Sequence, residues 1–244
     1  MFYIRFYEIF KTFKIKKDMK IGVLLSGCGV NDGSEIHETV FTLLAIAEAG
    51  HEAVCIGINK DQHHVINHLT GEEQKDTRNM MVEAARIARG EITDIKDISP
   101  ADLDVLIIPG GAGSAKNLTD WAFNGPEGTI LPEVKLLIVN MLNVGKPIVA
   151  LCVSPVVVAK ALQGSDIKSF MTIGSDQAES PYDIKGFVEG LTKAGVSTTM
   201  KLADEINIDR VNKIVTAPCY MMKSDLITLR NNIANAVNAG IELV

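Results

Sequence analysis

The chain has 244 residues, a length that fits one large α/β domain or two small ones. Hydrophobic residues make up 47% and charged residues 22%, which excludes a disordered or fibrous protein. The net charge of −6 argues against nucleic acid or an anionic membrane as the main partner. Apolar runs such as Val105–Pro109 and Ile148–Val153 are far shorter than the roughly 20 residues that cross a bilayer.

Residues 1–19 differ in composition from the rest of the chain. They hold six of the thirteen aromatic residues, together with five basic and two acidic side chains. Three interpretations are open: an amphipathic targeting or membrane-surface helix, a disordered tail, or upstream sequence outside the working protein. We favour the third, with Met19 as the functional start, and expect one domain over residues 20–244. We expect a cytoplasmic location, or a mitochondrial one if residues 1–19 are a targeting segment.

From Lys20 onward, buried strands alternate with amphipathic helices. Strands are predicted at Ile21–Ser26, Ala53–Ile58, Val105–Ile108, Pro147–Leu151, Phe170–Ile173 and Lys213–Thr216. Helices are predicted at Glu35–Ala49, Thr77–Arg89, Ile130–Val144, from Ser154 through Leu162, near Asp183–Ala194 and at Leu226–Ala239. This alternation is typical of a single doubly wound α/β domain, in which a mostly parallel sheet lies between two layers of helices.

The turn after the fourth long strand carries the sharpest chemical signal. The strand ends at Cys152, and Ser154 and Pro155 have the residue types that open a helix. A residue between a strand end and a helix start occupies a strained elbow that exposes its side chain above the sheet. The helix N-terminus would also favour the reactive thiolate of a cysteine. A buried structural cysteine is the competing interpretation.

Two further turns leave strands at the same edge of the predicted sheet. In the first, the glycines after Pro109 could direct backbone amides at an oxyanion, or simply form a tight turn. The second turn, 27–34, lacks the G-x-G-x-x-G spacing of a dinucleotide site. It leads into Glu35, His37 and Glu38, of which a buried carboxyl could exchange a proton with a cysteine. Solvated acids at a helix start are the competing interpretation.

These features, in this order, resemble the ThiJ/PfpI superfamily, whose members have a flavodoxin-like three-layer sandwich related to class I glutamine amidotransferases. The ElbB-like branch (enhancing lycopene biosynthesis, or glyoxalase-like proteins) is the most similar. Stretches that carry the resemblance are 22–30, 32–38, 66–72, 77–79, 83–90, 108–111, 115–118 and 212–216. Together they extend over nearly the whole chain from Lys20.

The resemblance implies a site and an activity. Cys152 would be the nucleophile, Glu38 its carboxyl partner, and the amides of Gly110 and Gly111 the oxyanion donors. The implied reaction converts glyoxal or methylglyoxal, a small reactive aldehyde, to the hydroxy acid without a cofactor, and a homodimer is the expected assembly. The residues expected to line the site are Glu35, His37, Cys28, Val153, Asn117 and Arg78, with His68 and Asn79 as further candidates.

The histidines separate this branch from other relatives. All five precede Cys152, whereas a glutaminase triad needs one downstream, and peptidase-like members place one at the position of Val153. Glu38 or His37 is therefore the proton partner left for Cys152. His64 and His68 lie four residues apart without a placed third ligand, so we predict no metal.

Four cysteines, at positions 28, 55, 152 and 219, are too few and too scattered for a disulfide framework, so reduced thiols are expected. Two other functions compete with the enzyme. One is a redox-sensing or chaperone-like stress protein that uses an oxidisable Cys152. The other is a non-catalytic accessory protein of isoprenoid metabolism, as the name of the ElbB branch suggests.

Overall fold

The computed structural model describes residues 18–244, and the interpretations of residues 1–17 lie outside that range. Its helices and strands are, in chain order, β1 (Lys20–Leu24), α1 (Ile36–Glu48), β2 (Glu52–Gly57), α2 (Met80–Ile87), β3 (Thr93–Asp94), β4 (Val105–Ile108), α3 (Trp121–Asn124), α4 (Pro132–Asn143), β5 (Ile148–Leu151), α5 (Pro155–Leu162), β6 (Phe170–Met171), α6 (Ile184–Lys193), β7 (Ser197–Thr198), β8 (Asn207–Asp209), β9 (Ile214–Ala217) and α7 (Leu226–Glu242).

Seven strands form the central sheet in the order β3-β2-β1-β4-β5-β9-β8. All pairs are parallel except β8–β9, which is antiparallel. Every residue of β4, β5 and β9 is buried, as expected for strands covered on both faces. Helices α1 and α7 pack together on one face, while α4 and α5 pack together on the other. The predicted α/β three-layer sandwich is confirmed.

The long elements match their predicted positions within a few residues, but three short strands were not predicted. β3 and β8 lie at the two edges of the sheet, and β7 pairs with β6 in a separate two-stranded sheet. The strand predicted at Phe170–Ile173 is therefore not part of the central sheet. Strands of two or three residues carry too little hydrophobic periodicity to be recognised from the sequence.

The strand order reverses between β1 and β4, which makes their carboxyl ends a topological switch point. The turns that follow β1, β4, β5 and β9 meet at this edge, and the candidate site lies there. Among residues 18–244, no helix is long and apolar enough to cross a membrane.

Candidate active site

Cys152 lies on a strained elbow, as predicted. Its φ angle is +56°, in the left-handed region that costs a non-glycine residue about 1–2 kcal/mol. The N–H of Cys152 donates to the carbonyl of Ala217 on β9 (2.9 Å), and α5 begins three residues later at Pro155. This bond to the neighbouring strand helps to hold the backbone, and with it the thiol, in place.

Ser154 fixes the elbow to the turn that follows β4. The residue stands at the predicted N-cap position of α5, yet its side chain makes no capping bond. Its hydroxyl instead donates to the carbonyl of Pro109 (2.6 Å) and pairs with the hydroxyl of Ser114 (2.9 Å). The cysteine turn and the glycine turn are therefore held together by buried hydrogen bonds.

Glu38 brings a fully buried carboxyl to Cys152 from α1. One carboxyl oxygen accepts the N–H of Gly110 (2.8 Å) and the other accepts the N–H of Tyr220 (3.3 Å). A side-chain hydrogen bond joins the carboxyl to the thiol of Cys152. Burial, followed by the nearby charge of Glu35, raises the pKa of Glu38 to about 8. A carboxyl with this pKa can exchange protons near neutral pH.

Glu35 holds the start of α1 against the glycine turn. Its carboxylate caps the helix by accepting the N–H of Glu38 (2.7 Å), and its own N–H donates to the carbonyl of Gly110 (2.9 Å). Replacing a helix N-cap residue by alanine typically lowers the free energy of unfolding by about 1 kcal/mol. Glu35 is thus a positioning residue for Glu38, while Glu38 itself contacts the thiol.

The two glycines after β4 differ in what their amides do. The N–H of Gly110 donates to Glu38, so it is not free for an oxyanion, and of the two amides predicted as oxyanion donors only that of Gly111 is left as a candidate. The N–H of Gly111 donates to the sulfur of Cys152. An amide that contacts the sulfur lies near any oxygen that would develop when a carbonyl adds to that sulfur.

The thiol of Cys152 is not poised as the sequence suggested. Burial raises its pKa well above the ordinary value, and the negative charge of Glu38 raises it further. The hydrogen bond from Gly111 acts in the opposite direction but is the smaller effect. The raised pKa runs against the expectation of a readily ionised thiol, because desolvation disfavours the charged form of a buried cysteine.

Two residues outside the predicted site set lie beside Cys152 and Glu38, and both follow β9. Cys219 is fully buried, has a φ angle of +48°, and lies close enough to raise the pKa of Cys152. Tyr220 donates its N–H to Glu38, and its hydroxyl hydrogen-bonds Nδ1 of the exposed His37 (3.0 Å). In the sequence, the feature that could have indicated them is their position directly after a buried strand, at the sheet edge where the other site turns also meet.

Two adjoining cavities open above the cysteine. The inner one, about 200 Å³, is lined by Cys152, Gly111 and Val153, and the outer one, about 570 Å³, by His37. Both are lined by Val30, Glu35, Tyr182 and Tyr220. Tyr182 lines the inner cavity together with Cys152, and burial, followed by the charge of Cys152, raises the pKa of its hydroxyl. Glu35, His37 and Val153 therefore line the cavities, as expected.

Three expected binding residues lie elsewhere. Asn117 clamps the turn after β1, since its amide donates to the carbonyls of Ser26 (2.9 Å) and Asp32 (2.8 Å). Arg78 lies 3.7 Å from Glu83 in a surface ion pair, and Cys28 is half-buried near the same glutamate. None of the three lines either cavity.

The two further candidates are structural as well. Nε2 of His68 accepts the N–H of Asn31 (3.1 Å), and Asn79 caps α2. Within residues 18–244, no group of three or more His, Cys, Asp or Glu side chains could hold a metal ion.

The chain is similar to known proteins over most of its length. A structure from Ehrlichia chaffeensis, described as an isoprenoid biosynthesis protein with an amidotransferase-like domain, superposes with a TM-score of 0.83 at 33% identity, covering 93% of this chain and 100% of that one. Drosophila melanogaster DJ-1beta superposes with a TM-score of 0.51 at 16% identity, covering 93% and 95% of the two chains, and so shares the fold.

A parallel sheet with a cysteine at its strand–helix elbow defines the class of the protein, and the sequence profile of the DJ-1/PfpI family matches residues 28–182. The chain belongs to the DJ-1/PfpI family. It is also similar to the human glutamine amidotransferase-like class 1 domain-containing protein 3, mitochondrial, with 36% identity over 228 residues, which cover 92% of this chain and 83% of the human protein. The zebrafish ES1 protein, mitochondrial, is 26% identical over 84% of this chain and 78% of its own length.

Proposed function

We propose that this protein is a cofactor-independent, glyoxalase-like lyase of the ElbB-like branch, which converts a 2-oxoaldehyde such as methylglyoxal to the 2-hydroxy acid. The observation that carries the proposal is the contact between Cys152 and the buried carboxyl of Glu38, with the Gly111 amide on the sulfur. The nucleophile, the proton acceptor and the oxyanion donor are thus held together below a cavity.

In the first step, the sulfur of Cys152 forms a bond to the aldehyde carbon while the carbonyl π bond breaks. The thiol proton passes to ionised Glu38, and the developing oxyanion accepts the N–H of Gly111 before it is protonated. The product is a hemithioacetal. Because the pKa of Glu38 is about 8, the carboxyl can be ionised at mildly alkaline pH and then protonated in turn within one cycle.

In the second step, Glu38 removes the hydrogen on the former aldehyde carbon, the electron pair forms a double bond to the ketone carbon, and the ketone oxygen takes up a proton from water to give an enediol. The former ketone carbon then takes the proton from Glu38 while the hydroxyl on the former aldehyde carbon gives up its proton to water, which forms a thioester of the 2-hydroxy acid. The aldehyde carbon is thereby oxidised and the ketone carbon reduced, so no external redox partner is needed. Water then cleaves the thioester, which releases the acid and restores the thiol.

Amide cleavage is less well supported. It requires an acid to protonate a leaving amine, a role that histidine fills in cysteine hydrolases. Among the described residues, the carboxyl partner of Cys152 is Glu38, while His37 bonds the hydroxyl of Tyr220. Aldehyde addition needs no leaving group and therefore suits a cysteine–carboxyl pair.

Purified wild-type protein is expected to form the hydroxy acid from methylglyoxal, and Cys152→Ala to form none above the uncatalysed rate. The change removes the nucleophile but keeps the backbone, because alanine adopts the same φ at a similar cost. Lactate is measured by chromatography on a chiral phase. Cys55→Ala is the matched control, because Cys55 is a buried cysteine within β2, outside both cavities. Equal lactate formation by wild type and Cys152→Ala would refute the mechanism.

The redox-sensing alternative rests on an oxidisable Cys152. The raised pKa of this thiol disfavours a standing thiolate, which is the form that peroxide oxidises, whereas aldehyde addition transfers the thiol proton to Glu38 as the bond to sulfur forms. The accessory role in isoprenoid metabolism is supported by the description of the Ehrlichia chaffeensis protein. That role predicts stable association with another protein that persists in Cys152→Ala.

The mitochondrial alternative is supported by the names of the human and zebrafish relatives, whereas no observation supports the cytoplasmic prediction. A homodimer and a small-molecule partner, without nucleic acid or membrane, remain part of the proposal.

A further inference from the structure

The aromatic side chains of the domain are concentrated at the cysteine. Outside residues 1–19 the chain has only seven aromatic residues. Four of them line the inner cavity together with Cys152: Trp121, Tyr182, Phe187 and Tyr220. These rings come from α3, α6, the loop before α6 and the short 3-10 helix Cys219–Met221, so their meeting is a property of the tertiary structure and not of one local motif.

The lining of the inner cavity is mostly apolar. Its polar groups include the thiol, the Gly111 amide, the carboxylate of Glu35 and the side chain of Asn31, while Val30, Ala115 and Ala122 lie among the apolar lining residues with the rings. Rings that face a common space favour an aromatic occupant, because offset or edge-to-face pairs add about 0.5–1.5 kcal/mol to the burial of apolar area. The cavity therefore matches a ligand with a polar head and a flat apolar body.

The space is also larger than a three-carbon aldehyde needs. The inner cavity of about 200 Å³ continues into the outer one of about 570 Å³ along the shared residues Tyr182 and Tyr220. Together they fall in the range of about 300–1,000 Å³ that is typical of sites for drug-sized ligands. A methylglyoxal bound at Cys152 would fill only part of this space.

A cationic occupant is less well supported. The carboxylate of Glu35 is already used as the cap of α1, and Glu38 is buried with three hydrogen-bond partners. In the outer cavity, Glu179 forms an ion pair with Lys223 (2.9 Å). No unpaired acid of the described residues therefore faces the rings to attract a cation.

We propose that the site takes an arylglyoxal, a 1,2-dicarbonyl with an aromatic substituent, whose aldehyde carbon meets Cys152 and whose ring packs among Trp121, Tyr182, Phe187 and Tyr220. This inference rests on the proposed function for its chemistry but not for its binding. The reaction follows the two steps above and consumes one water, so an arylglyoxal gives the corresponding aryl-2-hydroxy acid.

Binding is tested without turnover, in Cys152→Ala. Trp121 is the only tryptophan in the chain, so its emission reports on this cavity. Phenylethane-1,2-diol is titrated against propane-1,2-diol; both are neutral and unreactive. The phenyl compound is expected to bind at least tenfold more tightly and to shift the emission of Trp121. Equal affinity for the two diols, or no binding of either, would overturn the inference.

Substitutions at two aromatic residues of similar exposure distinguish loss of a ring contact with the ligand from a general effect of removing an aromatic side chain. Tyr182 is 43% exposed and lines both cavities, whereas Phe170 is 37% exposed and lies on β6 outside them. In the Cys152→Ala background, Tyr182→Ala is expected to weaken the binding of phenylethane-1,2-diol at least fivefold. Tyr182→Phe and Phe170→Ala should leave its affinity unchanged. A loss that is equal in Tyr182→Ala and Phe170→Ala contradicts the proposed ring contact.

Turnover is tested separately in the wild-type protein. The kcat/KM for phenylglyoxal is expected to exceed that for methylglyoxal at least tenfold, and Tyr182→Ala should reduce this ratio. Selective binding of the phenyl diol without turnover of either aldehyde would sustain the aromatic site and refute the proposed function. Turnover of both aldehydes with equal kcat/KM would sustain the proposed function and refute the aromatic site.

Discussion

Glu38→Gln is expected to reduce kcat/KM for a 2-oxoaldehyde about 10³-fold, because general acid–base groups typically contribute 10²–10⁴-fold. The amide can accept a hydrogen bond but cannot take up the thiol proton or the hydrogen on carbon. In the wild-type protein, kcat/KM should rise with pH up to about 8, where Glu38 ionises. The apparent pKa in this profile is a property of the coupled pair of Cys152 and Glu38, and not of Glu38 alone. The measurement is the pH profile of kcat/KM.

The same substitution should change how stability depends on pH. The folded-state pKa of Glu38, about 8, lies above its ordinary value of 4.5, so the folded protein binds a proton more tightly than the unfolded chain. The wild-type protein therefore loses stability as the pH rises from about 4.5 to 8, by an amount on the order of 5 kcal/mol. Above pH 8 this contribution is constant. Glu38→Gln lacks it.

The difference in unfolding free energy between Glu38→Gln and wild type isolates this effect from all other titrating groups. It should grow in favour of the variant with a slope approaching 1.4 kcal/mol per pH unit, measured by urea unfolding between pH 5.5 and 8.5. A constant penalty of about 1–3 kcal/mol is added, because one of the N–H groups of Gly110 and Tyr220 would face the amide NH₂. A difference that does not vary with pH would mean that Glu38 is charged throughout.

Glu48→Gln is the matched control, since Glu48 lies on the same helix but pairs with Arg230 at the surface (2.6 Å). Loss of this surface ion pair should change the free energy of unfolding by less than about 1 kcal/mol and leave kcat/KM unchanged. Glu38→Gln should also allow the thiolate of Cys152 to form at lower pH, because the charge of Glu38 raises the pKa of this cysteine. Absorbance of the thiolate follows that change. An unaltered thiol titration would place the carboxyl out of reach of the sulfur.

Gly110→Ala is expected to reduce kcat/KM at least 100-fold and stability by about 1–3 kcal/mol, the usual cost of overpacking. A Cβ at this position would lie 2.4 Å from Cβ of Cys152, 2.8 Å from its sulfur and 2.5 Å from Oε2 of Glu38. The added methyl group would therefore separate the two groups whose contact the proposed chemistry requires. Steady-state kinetics and urea unfolding measure the two effects.

Gly145→Ala provides the comparison. Gly145 has a φ angle of +72° with no atom within 4 Å of an added Cβ, so alanine there meets backbone strain without a clash. We expect it to cost about 1–2 kcal/mol of stability and to leave kcat/KM unchanged. Should Gly110→Ala retain wild-type kcat/KM, the tight contact between Cys152 and Glu38 would not be required for turnover.

Local residue patterns were sufficient for the scaffold and for the cysteine elbow. The aliphatic runs at β4 and β5 and the helical spacing of α1 are short-range signals, because burial on a strand or helix repeats with the period of that element. The strand end, serine and proline around Cys152 predicted the elbow that its φ of +56° confirms. Glu38 was distinguished from Glu35 by family resemblance, and the structure brings the Glu38 carboxyl to the thiol.

Only the tertiary structure decided the environment of that pair. The sequence suggested an easily ionised thiol, whereas packing against Glu38 and Cys219 raises its pKa, because desolvation depends on neighbours distant in the chain. Likewise, Asn117 and Arg78 matched the family resemblance but lie in supporting contacts, while Tyr182 and Tyr220 were not singled out and line the cavities. Periodicity specifies which face of an element is buried. It does not specify which side chains of separate elements meet there, and that meeting sets both the charge and the shape of the site.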